Sequence, residues 1–203
     1  FHITRGGSLA AVLRGIDAVY GLGFAPIKIN VVAMKGFNDD EILDFARLTL
    51  HRPFQVRFIE LMPLGHTGRD NLGKYLAGET IRDVIEDSYP LLPVNSVRER
   101  IDGPAMVYRI DGGCGEIGFI SPLSRHFCHR CNRLRLTADG HLRSCLFSEE
   151  ETDLKTPLRR GCSDDILADL IREAIAKKPR KHEVRLEASP LHKCGKDMSA
   201  IGG

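Results

Sequence analysis

No stretch of this sequence approaches the roughly 20 apolar residues that a membrane-spanning helix requires. No charged, then apolar, then small-residue leader opens it, and no segment repeats another. Neither sign of charge dominates, because 29 Lys and Arg against 27 Asp and Glu leave a formal net charge of +2. These absences lead to the expectation of a cytoplasmic protein without a membrane span. They remove any general electrostatic argument for nucleic acid, so a positive patch must be local. What remains is ordinary globular material, 42% apolar and 28% charged. The 203 residues suffice for one domain with a real core, with or without a smaller extension. The chain starts at Phe1, in running sequence, and is expected to be a fragment whose natural N-terminal part is absent.

The first part alternates helical and strand-like segments, the mark of parallel α/β structure. Residues 8 to 22 carry Leu9, Val12, Leu13, Ile16, Val19 and Tyr20 at helical spacing, with Ser8 as cap and Gly21 and Gly23 as the stop. "APIKINVVAMKG" predicts a strand, a helix over 39–51 is expected to be capped by Asn38, and "QVRFIELMP" predicts a second strand. This order fits consecutive units of a β/α barrel or an open doubly wound sheet. After residue 63 a glycine-rich stretch, a short helix over 79–87 and the strands "MVYRI", "GEIGFIS", "RLRLT" and "HLRSCL" suggest an antiparallel annex. A last helix spans about 163 to 178, with Ser163, Asp164 and Asp165 at its start and Lys177, Lys178 and Pro179 at its end. Residues 1–63 and 64–203 are accordingly the two expected domains.

Cys128-x2-Cys131-x13-Cys145 offers three soft ligands, two of them on one tight turn. Six cysteines in a chain of this size read more readily as metal ligation than as disulfides. A structural zinc site takes four protein ligands, and His126, His129, Cys114 or Cys162 could supply the fourth. Three cysteines equally suit a 4Fe–4S cluster with one iron left open. Spacing alone does not choose between them. Arg133 and Arg135, two apart, would share a strand face, where paired guanidinium forks suit a phosphate. Lys28 and Asn30 form the polar face of an apolar strand, which either lines a ligand cavity or faces water at a sheet edge. Arg57 has the same two readings. The closing Gly202-Gly203 reads as a frayed end or as a tail slim enough to thread a narrow site.

Taken together, "ITRGG", "IKINVVAMKGFNDDEI", "VRFIELMPLG", "CHRCNRLRLTADGHLRSCL" and the final "GG" resemble the radical S-adenosylmethionine GTP 3′,8-cyclases of molybdenum-cofactor biosynthesis. The resemblance covers nearly the whole chain. It implies a lyase whose incomplete, TIM-like β/α barrel carries a first 4Fe–4S cluster that cleaves S-adenosylmethionine. A small antiparallel and helical C-terminal extension carries a second 4Fe–4S cluster that binds GTP. Carried over by motif, Cys128, Cys131 and Cys145 would ligate the second cluster, whose open iron engages the guanine base. Arg133, Leu134 and Arg135 would contact GTP and Lys28 its phosphates. Met62 and Arg57 would help bind S-adenosylmethionine, and Gly202 and Gly203 would reach into the active site. A homodimer and an external electron donor are also implied.

One feature of those enzymes is missing. No three cysteines here have the Cys-x3-Cys-x2-Cys spacing of the first cluster, which is expected upstream of Phe1, so the chain by itself is expected to be inactive. Two rivals remain: a structural zinc module whose arginines touch nucleic-acid phosphate, and an electron-transfer iron–sulfur domain. The small net charge and the absence of a finger-like fourth ligand count against the first, and the missing four-cysteine ferredoxin spacing against the second.

Overall fold

The computed structural model describes residues 6–64, 71–94, 103–182, 184 and 201. By its contacts the chain divides into two compact units, residues 1–59 with 78–120 and residues 60–77 with 121–203.

In the first unit, α1 (Leu9–Gly21) starts on Ser8, whose hydroxyl accepts from the Ala11 amide at 3.3 Å. It stops before Gly23, which takes a positive φ of 81°. Its apolar residues do not become core among the described residues, since Leu9 is 72% and Val12 58% exposed. The helix is held instead by Tyr20, edge-on to Phe54 at 5.8 Å, and by Asp17, 2.6 Å from the Arg52 guanidinium.

Five strands, β1 (Ile27–Ala33), β2 (Phe54–Glu60), β3 (Leu91–Pro93), β4 (Met106–Ile110) and β5 (Glu116–Ile120), form one mixed sheet in the order β1-β2-β5-β4-β3. β2 and β5 run parallel, in register from Gln55↔Glu116 to Ile59↔Ile120, and β4 is antiparallel to β5 and to β3. This corrects the reading of "MVYRI" and "GEIGFIS" as parts of an annex. Their short connection does make a hairpin, but β5 also pairs in parallel with β2, so both strands belong to the main sheet, and every residue of β5 is buried. Gly115 leads into it where any Cβ would lie 2.3 Å from the Phe54 carbonyl oxygen. Helices α2 (Ile42–His51) and α3 (Gly78–Glu86) bury Ile42, Ala46, Ile81 and Ile85. With Val56, Phe58, Ile117 and Phe119 these side chains form the core of the unit, each larger one worth about 1.5–3 kcal/mol when fully buried.

The cap expected of Asn38 is not made. Its side chain turns back, accepting from the Met34 amide at 2.8 Å and donating to the Val32 carbonyl at 3.1 Å. Asp39 likewise accepts from the Gly36 amide at 2.9 Å. A 3-10 turn, Asp39–Glu41, then precedes α2. The tight loop offers these side chains closer backbone partners than the helix start does, and local bonding wins.

The second unit contains a small antiparallel sheet in the order β6 (Arg135–Leu136), β7 (His141–Arg143), β8 (Thr152–Asp153), followed by α4 (Lys155–Arg159) and α5 (Asp164–Ala176). α5 lies against β7 and β8. Ser163 has the extended backbone of an N-cap but makes no side-chain capping bond. Leu64 and the fully buried Ile201 centre an apolar cluster with Met62, Leu146 and Phe147. No helix of the described residues is long and apolar enough to cross a membrane.

Candidate functional site

Cys128 and Cys131 bracket a 3-10 turn, Cys128–Arg130, closed by the Cys131 amide on the Cys128 carbonyl at 3.1 Å. Cys145 follows β7. All three are half-buried free thiols. The donor set suits a soft metal or an iron–sulfur cluster. Among the described residues, no three His, Cys, Asp or Glu side chains are already gathered as tightly as a bound metal ion would hold them. His126, proposed as a fourth ligand, lies in ring contact with His182 at 5.8 Å.

Arg135 is the half-buried member of the arginine pair, and Arg133 the exposed one. The strand begins only at Arg135, so the expectation that regular alternation puts both on one face does not apply. They are neighbours nonetheless. Burial holds the Arg135 guanidinium below its ordinary value, repulsion from Arg133 and Arg143 adds to this, and Cys131 and Cys145 oppose it. Arginine remains charged throughout the physiological range. The direction therefore means that a cation is kept partly dehydrated among other cations, a situation that an anion would relieve. Arg133 lies over the Phe127 ring at 5.4 Å, which leaves its fork exposed, and Leu134 between them is 39% exposed.

Several side chains that sequence reasoning missed hold this segment. Glu60, fully buried at the end of β2, accepts from the amides of Leu123 and Ser124 at 3.0 and 3.1 Å and from the Ser124 hydroxyl. It fixes the loop that leads to Cys128. His182 bonds the Pro122 carbonyl at 2.7 Å and packs on Phe147 at 4.8 Å. Arg143, 2% exposed, donates to Glu151 at 3.2 Å and to the Ser148 carbonyl, holding the chain on both sides of Cys145. Lys178 donates to the Arg133 carbonyl at 2.6 Å and lies 3.5 Å from the Cys131 sulfur. The one available signal was a charge closing an apolar strand, in the case of Glu60. The rest are surface-type residues that only the fold brings inward.

Other predicted residues are placed as follows. Met62 is half-buried in the cluster with Leu64 and Ile201, beyond the end of β2. Arg57, on β2 in the first unit, donates to Gln55 at 2.7 Å, and Gln55 donates to Glu116 at 3.0 Å, which makes Arg57 part of a polar ladder along that strand. Lys28 is half-buried and Asn30 exposed on β1, an edge of the sheet among the described residues. Gly202 and Gly203 lie outside the described residues. A cavity of 240 Å³ between the small sheet and α5 is lined by Glu150 and Glu151 beside Lys177. Its carboxylates disfavour a polyphosphate there.

Residues 54–184 match the family model described as Molybdenum Cofactor Synthesis C. The chain is 48% identical over 183 residues to the GTP 3′,8-cyclase of Moorella thermoacetica, covering 90% of this chain and 56% of that protein. It is 46% identical over 203 residues to the GTP 3′,8-cyclase of Pelotomaculum thermopropionicum, covering 100% of this chain and 61% of the relative. To the enzyme of that name from Listeria monocytogenes it is 43% identical over 206 residues, covering 99% of this chain and 60% of the relative. The chain thus spans about three-fifths of the length of the curated relatives it matches.

Proposed function

This chain belongs to the Molybdenum Cofactor Synthesis C family, and we propose that it supplies the GTP-handling part of a radical S-adenosylmethionine GTP 3′,8-cyclase. The observation that carries this reading is the Cys128–Cys131 turn followed directly by the exposed Arg133 and the half-buried Arg135, with Cys145 just beyond the strand that pairs with Arg135. A cysteine ligand set beside two neighbouring arginines suits a nucleotide that brings a coordinating base and a triphosphate together.

In the protein that carries this chain, Cys128, Cys131 and Cys145 would hold a 4Fe–4S cluster. When bound, that cluster would supply an open iron as a docking point for the guanine base. Arg133, Arg135 and the backbone at Leu134 orient GTP, and Lys28 neutralises phosphate charge. Arg135 acts by prior desolvation: its guanidinium has already lost part of its water, so less reorganisation is needed when the substrate arrives. Met62 and Arg57 contribute to S-adenosylmethionine binding, and Gly202 and Gly203 approach the reacting sugar. A 5′-deoxyadenosyl radical, formed by one-electron reductive cleavage of S-adenosylmethionine, would take the hydrogen from ribose C3′; that carbon would bond to C8 of guanine, and one electron from the external donor with one proton would quench the resulting base radical, giving (8S)-3′,8-cyclo-7,8-dihydroguanosine 5′-triphosphate, the first step towards the molybdopterin cofactor. The protein's share is positioning and exclusion of water from the radical. The alternation α1-β1-α2-β2 and the parallel β2–β5 pair support reading the first unit as the later part of an incomplete β/α barrel. A homodimer and an external electron donor complete the proposal.

The test is anaerobic isolation with iron, sulfide and zinc counts, followed by GTP titration. Iron and sulfide in cluster proportion, with a spectrum that GTP perturbs, is the expected result. Zinc at one per chain without iron would overturn it and favour the zinc module.

A further inference from the structure

We propose that Lys178 is a positioning residue of the cysteine site, tying the end of α5 to the Cys131 sulfur and to the backbone from which the two arginines project. The inference rests on the reading of Cys128, Cys131 and Cys145 as cluster ligands.

Lys178 lies two residues beyond Ala176, the last residue of α5, and its amide donates to the Ile175 carbonyl at 3.0 Å. Its backbone is therefore anchored by the helix. The ammonium does not turn back to the helix's own last carbonyls, where a terminal lysine ordinarily interacts with the dipole. It donates instead to the Arg133 carbonyl at 2.6 Å and reaches the Cys131 sulfur at 3.5 Å. An ammonium has three donors and no acceptor and is a compact point charge. It can serve a carbonyl and a sulfur at once, as a planar guanidinium does less readily.

Two consequences follow. The carbonyl bond restrains residues 131 to 133, and with them the start of β6 at Arg135. The charge beside the Cys131 sulfur favours whichever state of a cluster is more negative, which is the reduced one; net charge and hydrogen bonds to sulfur are among the factors that set such potentials. A residue that only closed α5 would do neither.

The test uses the intact protein, purified anaerobically, as wild type, Lys178→Met, Lys178→Arg and Lys178→Gln. Iron and sulfide are counted, and the paramagnetic signal that GTP perturbs is followed through a reductive titration. Lys178→Met is expected to keep its iron while the equilibrium constant for reducing that cluster falls about tenfold, a midpoint lower by about 59 mV for one electron. GTP affinity is expected to fall about three- to tenfold through the loosened arginine segment. Lys178→Arg should recover most of the midpoint and Lys178→Gln little of it. An unchanged midpoint in Lys178→Met with full iron overturns the proposal while leaving the cluster reading intact. If Lys178→Met loses its iron, retention by the Arg variant with loss by the Gln variant supports the role, and equal behaviour of the two overturns it. Wild type that takes up zinc in place of iron overturns the cluster reading, and this proposal with it.

Discussion

Arg135 on β6 stands directly opposite Arg143 on β7, two like charges in register across an antiparallel ladder. Such a pair is destabilising unless neighbours neutralise it. Arg143 is matched by Glu151 and the Ser148 carbonyl and is closed off from water, so it is Arg135 that is left facing Cys131 and Cys145. The small sheet thus separates a structural arginine from the one that we propose for GTP.

Glu151→Gln should therefore destabilise the second unit. It strips the carboxylate from a buried guanidinium, a change that typically costs about 3–5 kcal/mol. Because Glu151 is itself partly exposed, the lower end is expected. Urea unfolding of the variant beside wild type checks it, and an unchanged midpoint would show that the Ser148 carbonyl suffices.

Arg133→Ala and Arg135→Ala should each weaken GTP binding about ten- to a hundredfold, the loss of a charge-assisted contact of about 1.5–3 kcal/mol. Iron content and S-adenosylmethionine cleavage without GTP should stay near wild type. Lysine at either position should rescue only in part, since it lacks the planar fork. GTP titration beside iron counts decides the matter, and Arg135, already partly dehydrated, should show the larger loss.

Serine at Cys128, Cys131 or Cys145 should remove iron from this site in each case, whereas Cys114→Ser and Cys162→Ser should leave the iron count unchanged. Anaerobic reconstitution of the five variants separates ligands from bystanders.

Ile201 is fully buried beside Leu64. Ile201→Ala should cost about 2–5 kcal/mol in the second unit by leaving a cavity. Deleting Gly202 and Gly203 removes no such apolar side chain and should leave stability and clusters intact while abolishing cyclisation in the intact protein. Equal activity with and without the glycine pair would return the tail to a frayed end. The chain alone, which has no cysteines at the Cys-x3-Cys-x2-Cys spacing, should form no cyclic product.

Asp153 is held below the usual carboxylate range by the Thr156 hydroxyl and by the Thr156 amide, which donates to it at 3.0 Å. A lowered folded-state value means that this stability is present above the unfolded value of about 3.9 and is lost as pH falls through the folded one. Asp153→Asn should accordingly flatten the loss of stability between about pH 5 and pH 2 without steepening it on the alkaline side. Urea midpoints measured across that range check it.

Local pattern was enough for the elements whose determinants are local. Apolar spacing and Ser8 located α1, alternation located β1 and β2, and acidic and basic ends located α5. The spacing of Cys128, Cys131 and Cys145 and the placing of Arg133 and Arg135 between them were also legible, because a turn and a short strand are set by neighbours in sequence. Which strands share a sheet was not. The residues of β5 read as one arm of a hairpin, and only the tertiary structure pairs their other edge with β2. Nor does sequence show which of two adjacent arginines is dehydrated, that Lys178 reaches Cys131 across 47 residues, or that Glu60 fixes the loop before Cys128. Each depends on contacts between segments far apart in the chain, whose energies exist only once the backbone has closed those distances.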